Sequence, residues 1–310
     1  MAKKPAPKYR PPTKAPAKGG RPAGLFTWLA VGLVIVVVAA LVIIKVASGG
    51  NAGGGPSSFQ PADPTTVRQL TAVPASVFNT IGVTSPIAQV TAPQAVKGQP
   101  ELKAANAAGK SLPEVFYLGG EYCPFCAAQR WPTIIALSRF GTWAGLGNIS
   151  SYSGDQYPNT PSFTFARAAY KSKYVTFVGV EAYADYLNAA GSNYATLQTP
   201  TAAENALVAK YDTPKYIKGL TKSQGNPIPF ITFANKFLVS GASYGPTTLA
   251  GSTRSQIAAG LSNATSPITQ AIIASANYQT AAICSLTKNQ PSNVCTSAGV
   301  KTAAKAMGLK

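Results

Sequence analysis

The sequence contains no histidine among its 310 residues. This absence excludes the Ser-His-Asp and Cys-His catalytic arrangements within this chain, because both use an imidazole as the base. It also removes the commonest protein ligand of zinc, copper and non-haem iron. The chemistry open to the chain therefore depends on thiols, carboxylates, hydroxyls and amines.

Acidic residues are also scarce: 9 Asp and Glu stand against 27 Lys and Arg, and the formal net charge is +18. Seven of the bases lie within residues 1–24, which hold no acid. A basic chain can bind nucleic acid, since Lys and Arg neutralise phosphates. Here the densest basic run directly precedes an apolar segment. A membrane-topology signal explains that arrangement better, and we expect no nucleic-acid partner.

The apolar segment is residues 25–44, LFTWLAVGLVIVVVAALVII, which carries no charge. At about 1.5 Å per residue, a helix of this length spans roughly 30 Å, the hydrocarbon thickness of a bilayer. The segment is longer than the apolar part of a cleavable signal peptide, and its end fits a cleavage site poorly. We predict a single transmembrane helix over residues 25–47, with a cytoplasmic N-terminus and an extracytoplasmic C-terminal domain.

Composition divides the rest of the chain into four parts. Residues 1–24 are rich in Pro, Lys and Ala, which predicts a disordered basic cytoplasmic tail. Residues 48–58 are rich in Gly and Ser and indicate a flexible tether. We interpret residues 59–100 as a loosely structured lead-in segment, in which residues 75–80 can form one helical turn. Residues 101–310 are expected to form the folded domain, in a compartment where disulfides persist.

The four cysteines, Cys123, Cys126, Cys284 and Cys295, all lie in the predicted folded domain. Three pairings are possible in principle, and pairing of sequence neighbours is the simplest. A Cys284–Cys295 disulfide would brace the end of one predicted helix against the start of the next. The alternative is that the four cysteines bind zinc. Tetrahedral thiolate sites usually combine two closely spaced cysteine pairs, however, and Cys284 and Cys295 are too widely spaced. We expect no metal and no cofactor.

Cys123 and Cys126 form a C-P-F-C motif between an apolar strand at residues 115–118 and a predicted helix over 123–140. At a helix N-terminus, unpaired N–H groups and the helix dipole stabilise a thiolate. We predict that Cys123 is the exposed nucleophile and that Cys126, one turn further on, is the more buried resolving cysteine. The competing interpretation is an inert structural disulfide, although so short a loop gains little from closure.

Several neighbours of this motif are candidates for supporting roles. Glu121 is either a proton acceptor for the cysteine pair or an exposed loop carboxylate. Arg130 is either a cation that favours the thiolate or, as we expect, a solvated helix charge. Tyr122, Phe125 and Ile228 are candidates for a substrate groove.

The remaining segments predict a mixture of strands and helices. A capping box at residues 201–204 indicates a helix start. An apolar run at residues 228–233, a short turn and a second apolar run indicate a β-hairpin. Extended segments are expected at residues 148–151, 163–166 and 174–180, and helices from 267 to about 286 and from about 291 onward.

The apolar strand, the C-P-F-C helix with Pro132 inside it, and Ile228-Pro229-Phe230 before a hairpin resemble proteins of the thioredoxin fold. In that superfamily a cis-proline before such a strand faces the C-x-x-C motif, and Pro229 matches its position. The long interval between the two motifs implies a large, partly helical insertion, as in the DsbA-like branch.

The segments EYCPFCAAQRW, LSRFG, DQYPNT, IPF and ICSLT…VC together resemble the domain-of-unknown-function 929 family, which comprises prokaryotic membrane-anchored thioredoxin-like proteins. The resemblance implies an α/β, thioredoxin-like fold with a long insertion between the C-x-x-C helix and the cis-proline strand, preceded by one transmembrane helix.

These observations predict a thiol:disulfide oxidoreductase, anchored in the cell membrane, that acts on exported proteins through its Cys-Pro-Phe-Cys site. Its partners would be the thiols or disulfides of exported proteins, a membrane or extracytoplasmic redox partner, and the lipid bilayer. Two alternatives remain open at this point. The first is that the domain is a catalytically silent thioredoxin-fold binding module. The second is that it is a structural envelope protein whose disulfides only stabilise it.

Overall fold

The computed structural model describes residues 59–83 and 90–309. These residues belong to one compact unit, Ala52–Lys310. The predicted cytoplasmic tail, transmembrane helix and tether, residues 1–58, lie outside the described residues. Within the described part, none of the helices combines the length and the apolar character needed to cross a membrane.

The described residues form eight α-helices and twelve β-strands. The helices are α1 (Pro64–Thr71), α2 (Ala75–Ile81), α3 (Pro124–Ser138), α4 (Ala202–Tyr211), α5 (Arg254–Gly260), α6 (Pro267–Leu286), α7 (Ser292–Cys295) and α8 (Ala298–Ala306). The strands are β1 (Gln94–Ala95), β2 (Lys103–Ala105), β3 (Ser111–Gly119), β4 (Gly141–Ala144), β5 (Gly147–Ser150), β6 (Pro161–Thr164), β7 (Ala169–Ser172), β8 (Thr176–Glu181), β9 (Tyr183–Leu187), β10 (Tyr194–Thr196), β11 (Phe230–Phe233) and β12 (Phe237–Ser240).

A six-stranded mixed sheet forms the centre of the domain. Its strand order is β1-β12-β11-β3-β2, and β8 also pairs with β3. β3 is antiparallel to β11 and parallel to β8, in a register that places Gly119 opposite Glu181. Residues 115–117 are almost fully buried, as expected of a strand covered on both faces. This architecture confirms the predicted α/β class.

The interval between the C-P-F-C motif and Pro229 contains more strand than we predicted. It includes α4, which begins with the predicted capping box of Thr201 and Glu204. It also includes three two-stranded antiparallel sheets, β4 with β7, β5 with β6, and β9 with β10. The last of these, the β9–β10 hairpin, directly follows β8 and therefore lies beside the carboxyl ends of the parallel strands β3 and β8.

The segment that we interpreted as a loose lead-in is packed into the domain where the structure describes it. Val77, Phe78 and Ile81 recur at the three-to-four-residue spacing of one helix face and are buried in the main core. Asn277 of α6 holds the end of α2 by donating hydrogen bonds to the carbonyl oxygens of Phe78 and Gly82. Burial of this apolar face explains the difference from our expectation.

The C-terminal helices cover α3 and complete the core. α6 is buried along most of its length and packs against α3. A disulfide joins Cys284 near the end of α6 to Cys295 at the end of α7, as predicted for this pair. The helix expected from about residue 291 is divided into α7 and α8, because Ser297 has an extended backbone between them.

Candidate functional site

The C-P-F-C motif forms the beginning of α3. Cys123 is the N-cap residue, and its Sγ accepts a hydrogen bond from the N–H of Cys126 at 3.2 Å. Pro124 occupies the first helical turn, where its missing N–H removes no intrahelical hydrogen bond. The positive end of the helix dipole therefore lies at the Cys123 sulfur.

The chain at Ile228 and Pro229 lies against this sulfur. The Ile228–Pro229 peptide bond is cis. Cys123 Sγ is 3.8 Å from the carbonyl oxygen of Ile228, although 105 positions separate the two residues. The pairing of β11 with β3 brings them together, because it places Phe230 opposite Leu118 at the end of the sheet from which α3 departs.

Both thiols of the motif are buried: Cys123 is 6% exposed and Cys126 is 0% exposed. The prediction that Cys123 is exposed is therefore wrong. The physical reason is the position of the Ile228 carbonyl group, which packs against the Cys123 sulfur. The expected difference between the two cysteines is nevertheless present, since Cys126 is the more buried.

The pKa values of the two thiols shift in opposite directions. A hydrogen bond from the Cys126 side chain is the largest cause that lowers the pKa of Cys123. The N–H groups of Cys126 and Phe125 and the charge of Arg130 act the same way, against burial. Burial is the main cause that raises the pKa of Cys126 well above its ordinary value. Cys123 is thus the thiol that ionises more readily.

Arg130 lies in the interior of the domain and is fully buried with Glu181. Its Nε and Nη2 atoms donate hydrogen bonds to the two carboxylate oxygens of Glu181 at 2.8 and 2.6 Å. Nη2 also donates to the carbonyl oxygen of Gly120 at 2.8 Å. Our expectation of a solvated helix charge is wrong, because the end of β8 supplies a buried carboxylate partner. The cation lowers the pKa values of both cysteines.

Glu181 is a site residue that sequence reasoning missed. It ends β8, where the parallel pairing with β3 places it opposite Gly119. A signal was present: Glu181 is an acidic residue at the end of the apolar strand TFVGVE, in a chain with 9 acids in total. A carboxylate at the buried end of such a strand needs a cationic partner.

Glu121 is also buried, with 6% of its surface exposed, so it is not an exposed loop carboxylate. Its pKa is raised from 4.5 to about 7, chiefly by burial and secondly by the negative charge of Glu181. A hydrogen bond with Thr164 and the charge of Arg130 oppose these two effects. Its backbone N–H donates to the carbonyl oxygen of Tyr183 at 2.8 Å, which ties the motif to β9. Because its pKa is about 7, Glu121 exchanges a proton near neutral pH.

Aromatic rings lie next to the cysteine motif. Tyr122 stacks on Tyr194 of β10 with ring centroids 3.7 Å apart, and Phe125 meets Tyr157 edge-on at 5.7 Å. Tyr122, Phe125 and Ile228, the residues predicted for a substrate groove, all lie at or beside Cys123. Tyr157 and Tyr194 were not predicted, because they come from the segments between the two motifs.

Comparison with known proteins gave one match. A family model, domain of unknown function (DUF929), matches residues 101–285, which is more than half of the chain. The chain belongs to the DUF929 family. The match confirms the predicted membership of the DUF929 family, and the matched range includes the C-P-F-C motif, Arg130, Glu181 and Pro229. No curated protein and no solved structure matched the chain.

Proposed function

We propose that this DUF929 protein is a thiol:disulfide oxidoreductase in which Cys123 attacks the substrate and Cys126 resolves the mixed disulfide. One observation carries the proposal. The Cys123 sulfur caps α3, with a lowered pKa, and faces the Ile228 carbonyl group directly before Pro229. A thiolate is the nucleophile in disulfide exchange, and a helix N-terminus with a nearby arginine is an environment that favours it.

In the reductive direction the Cys123 thiolate attacks one sulfur of a substrate disulfide. A Cys123–substrate disulfide forms, the substrate S–S bond breaks, and the departing sulfur leaves as a thiolate that takes up a proton. Cys126 then loses its proton and attacks Cys123 Sγ. The Cys123–Cys126 disulfide forms, and the second substrate sulfur leaves reduced. The two electrons pass from the cysteine pair to the substrate, and the reverse sequence oxidises a substrate dithiol.

Two buried groups support these steps. The Arg130 cation favours both thiolates, and its ion pair with Glu181 holds it in place. We assign Glu121 as the proton acceptor of the cysteine pair, because it is buried two positions before Cys123, is acted on by the same Arg130 charge as both thiols, and has a pKa of about 7.

A thioredoxin-like fold and an extracytoplasmic location are part of the same proposal. The fold is supported by the buried strand β3, the motif at the start of α3, and Pro229 before the β11–β12 hairpin. The location is supported by the apolar run at residues 25–44 and by the Cys284–Cys295 disulfide, since structural disulfides persist outside the cytoplasm.

The test is disulfide exchange by the full-length protein in detergent, measured as reduction of insulin in a glutathione redox buffer. The wild-type protein should accelerate the reaction. Cys123→Ser should reduce the rate to the uncatalysed level, and Cys126→Ser should accumulate a mixed disulfide between Cys123 and insulin. Circular dichroism shows whether each variant is folded.

A folded Cys123→Ser variant with the wild-type rate would overturn the proposal. A folded wild-type protein without activity, in insulin reduction or in oxidative refolding, would instead favour a catalytically silent binding module.

A further inference from the structure

Exposed apolar side chains among the described residues are concentrated beside the cysteine motif. The exposed large ones are Phe125, Tyr183 and Leu197, at 40%, 43% and 39%. Phe125 lies within the motif itself. Tyr183 begins β9 and Leu197 follows β10. The carbonyl oxygen of Tyr183 accepts a hydrogen bond from the backbone N–H of Glu121. Exposed apolar residues grouped in this way mark a binding surface.

Further aromatic rings lie next to this group. Tyr194 stacks on Tyr122 at 3.7 Å and meets Tyr152 edge-on at 5.4 Å. The N–H of Tyr152 donates to the carbonyl oxygen of Tyr122 at 2.9 Å, which fixes the loop beside the motif. We call these side chains the aromatic surface, which comprises Tyr122, Phe125, Tyr152, Tyr157, Tyr183 and Tyr194.

The segments that supply most of this surface lack basic residues. The net charge of the chain is +18, yet residues 140–166 and 174–209, which supply four of the six rings, contain no Lys or Arg. Their four acids are Asp155, Glu181, Asp185 and Glu204, of which Glu181 pairs with the buried Arg130 and Glu204 caps α4. Asp155 accepts a hydrogen bond from the N–H of Tyr157, and its charge acts on Tyr194. The charge of Asp185 acts on Glu121.

We propose that the aromatic surface binds polypeptide segments in which Lys or Arg flanks the reacting cysteine, so that substrates of this DUF929 protein are basic around that cysteine. The inference rests on the proposed function. Tyrosine faces attract cations, and the Asp155 and Asp185 carboxylates add a longer-range attraction. An acidic segment would meet these two carboxylates and be disfavoured.

The probes are three peptides that differ only in the two residues flanking a single cysteine, which are Arg, Ala or Glu. Each cysteine is activated as a mixed disulfide with 2-nitro-5-thiobenzoate. Attack by Cys123 on the peptide sulfur forms the protein–peptide disulfide and releases thionitrobenzoate, which is followed by its absorbance. The reduced full-length protein in detergent is used, and the symmetric small disulfide of the same reagent reports the reactivity of Cys123 alone.

We expect the Arg peptide to react about tenfold faster than the Glu peptide at low ionic strength, with the ratio falling toward one in 1 M salt. Asp155→Asn with Asp185→Asn should reduce that ratio by about threefold or more, since each surface charge pair contributes only modestly. Glu101→Gln is the matched control, because Glu101 pairs with Lys103 outside the surface and its loss should leave the ratio unchanged. Tyr194→Ala should slow the Arg peptide more than the small disulfide.

The outcomes separate the two proposals. Equal rates for the three peptides, while the small disulfide reacts, would overturn the basic-segment inference and leave the proposed function standing. An unchanged ratio in the double Asp variant would overturn it as well. A folded protein that reacts with neither the small disulfide nor any peptide would contradict the proposed function itself.

Discussion

The two cysteine pairs of this protein differ in their surroundings and not in their burial. Cys123 and Cys126 are 6% and 0% exposed, and Cys284 and Cys295 are 3% and 7% exposed. The second pair is a disulfide between two helices and belongs to the main apolar core. The first pair lies at a helix N-terminus and interacts electrostatically with the buried Arg130.

Under the proposed function, accessibility does not distinguish the reactive cysteine pair from the structural one. The distinguishing quantity is the stabilisation of negative charge on sulfur, which N–H groups and a nearby cation supply to Cys123. The buried charges near that pair also carry a cost in stability, because each carboxylate in the interior needs a compensating cation. Three predictions, each with its own variants, test whether the two regions differ in this way.

The largest effect is expected from Arg130→Met. Removal of Arg130 leaves Glu181 as a buried carboxylate without its cation, which should lower the free energy of unfolding by about 3–5 kcal/mol. It should also raise the pKa of Cys123, measured by the pH dependence of alkylation. Chemical denaturation of the purified protein gives the stability change.

Arg139→Met, at the C-cap of the same helix, is the matched control. Arg139 donates to Asn277, Thr280 and Ser297, so its loss strands no carboxylate and should cost about 1–2 kcal/mol. Adding Glu181→Leu to Arg130→Met should restore much of the lost stability. Equal losses in the two arginine variants, without rescue by Glu181→Leu, would contradict the role of the ion pair.

A somewhat smaller effect is expected from replacing Cys284 and Cys295 together by Ala. Their sequence separation of 11 gives a loop whose closure contributes about 3 kcal/mol to the free energy of unfolding. Thermal or chemical denaturation measures the loss. The alkylation profile of Cys123 should stay as in the wild type, and a shift in that profile would show that the two regions are coupled.

The smallest effect concerns Glu121→Gln and depends on pH. The pKa of Glu121 is about 7 in the folded protein and 4.5 ordinarily, so between these values the folded chain holds a proton that the unfolded chain has lost. Stability from this group therefore falls as the pH rises from 4.5 to 7. Glu121→Gln should be more stable than the wild type by about 2–3 kcal/mol at pH 8, with a much smaller difference at pH 4.

Asp63→Asn provides a control of opposite sign. The pKa of Asp63 is lowered, chiefly by the hydrogen bond from the Thr66 N–H, so its stabilisation is present at neutral pH and is lost on acidification. Denaturation curves across the pH range compare the two variants. A stability difference between Glu121→Gln and the wild type that does not change with pH would contradict the raised pKa.

Local sequence patterns predicted the parts of this fold that depend on neighbouring residues. The apolar run of β3, the beginning of α3 at the C-P-F-C motif and the capping box at Thr201 each follow from a few adjacent positions. The helix at residues 64–71 was missed, and at residues 75–80 only a single turn was predicted, because the composition of residues 59–100 suggested a loose segment. Their burial depends on contacts with elements distant in sequence: α1 packs against α3 and α5, and α2 packs against α6 and α8.

The candidate site divides along the same line. The cysteine motif, Glu121 and Pro229 could be named from the sequence, since each carries a recognisable residue type or spacing. The acid at the end of β8 was detectable, but its pairing with Arg130 was not, because Glu181 lies 51 positions away and reaches Arg130 only through the parallel pairing of β3 and β8. The rings of Tyr157 and Tyr194 depend in the same way on how intervening segments fold back onto the motif.

Cys123 is both the N-cap of α3 and the first cysteine of the C-P-F-C motif, which links the redox state of this motif to the folding of the protein. Its sulfur accepts the hydrogen bond that satisfies the first turn of α3, and a charged acceptor makes a stronger bond than a neutral one. A Cys123–Cys126 disulfide would replace that charge with a neutral sulfur. In a thermodynamic cycle, the difference in unfolding free energy between the dithiol and disulfide forms corresponds, through ΔG = −nFΔE, to the difference in reduction potential between the folded and unfolded chains. Melting curves of the two forms would therefore measure how strongly the fold selects one redox state.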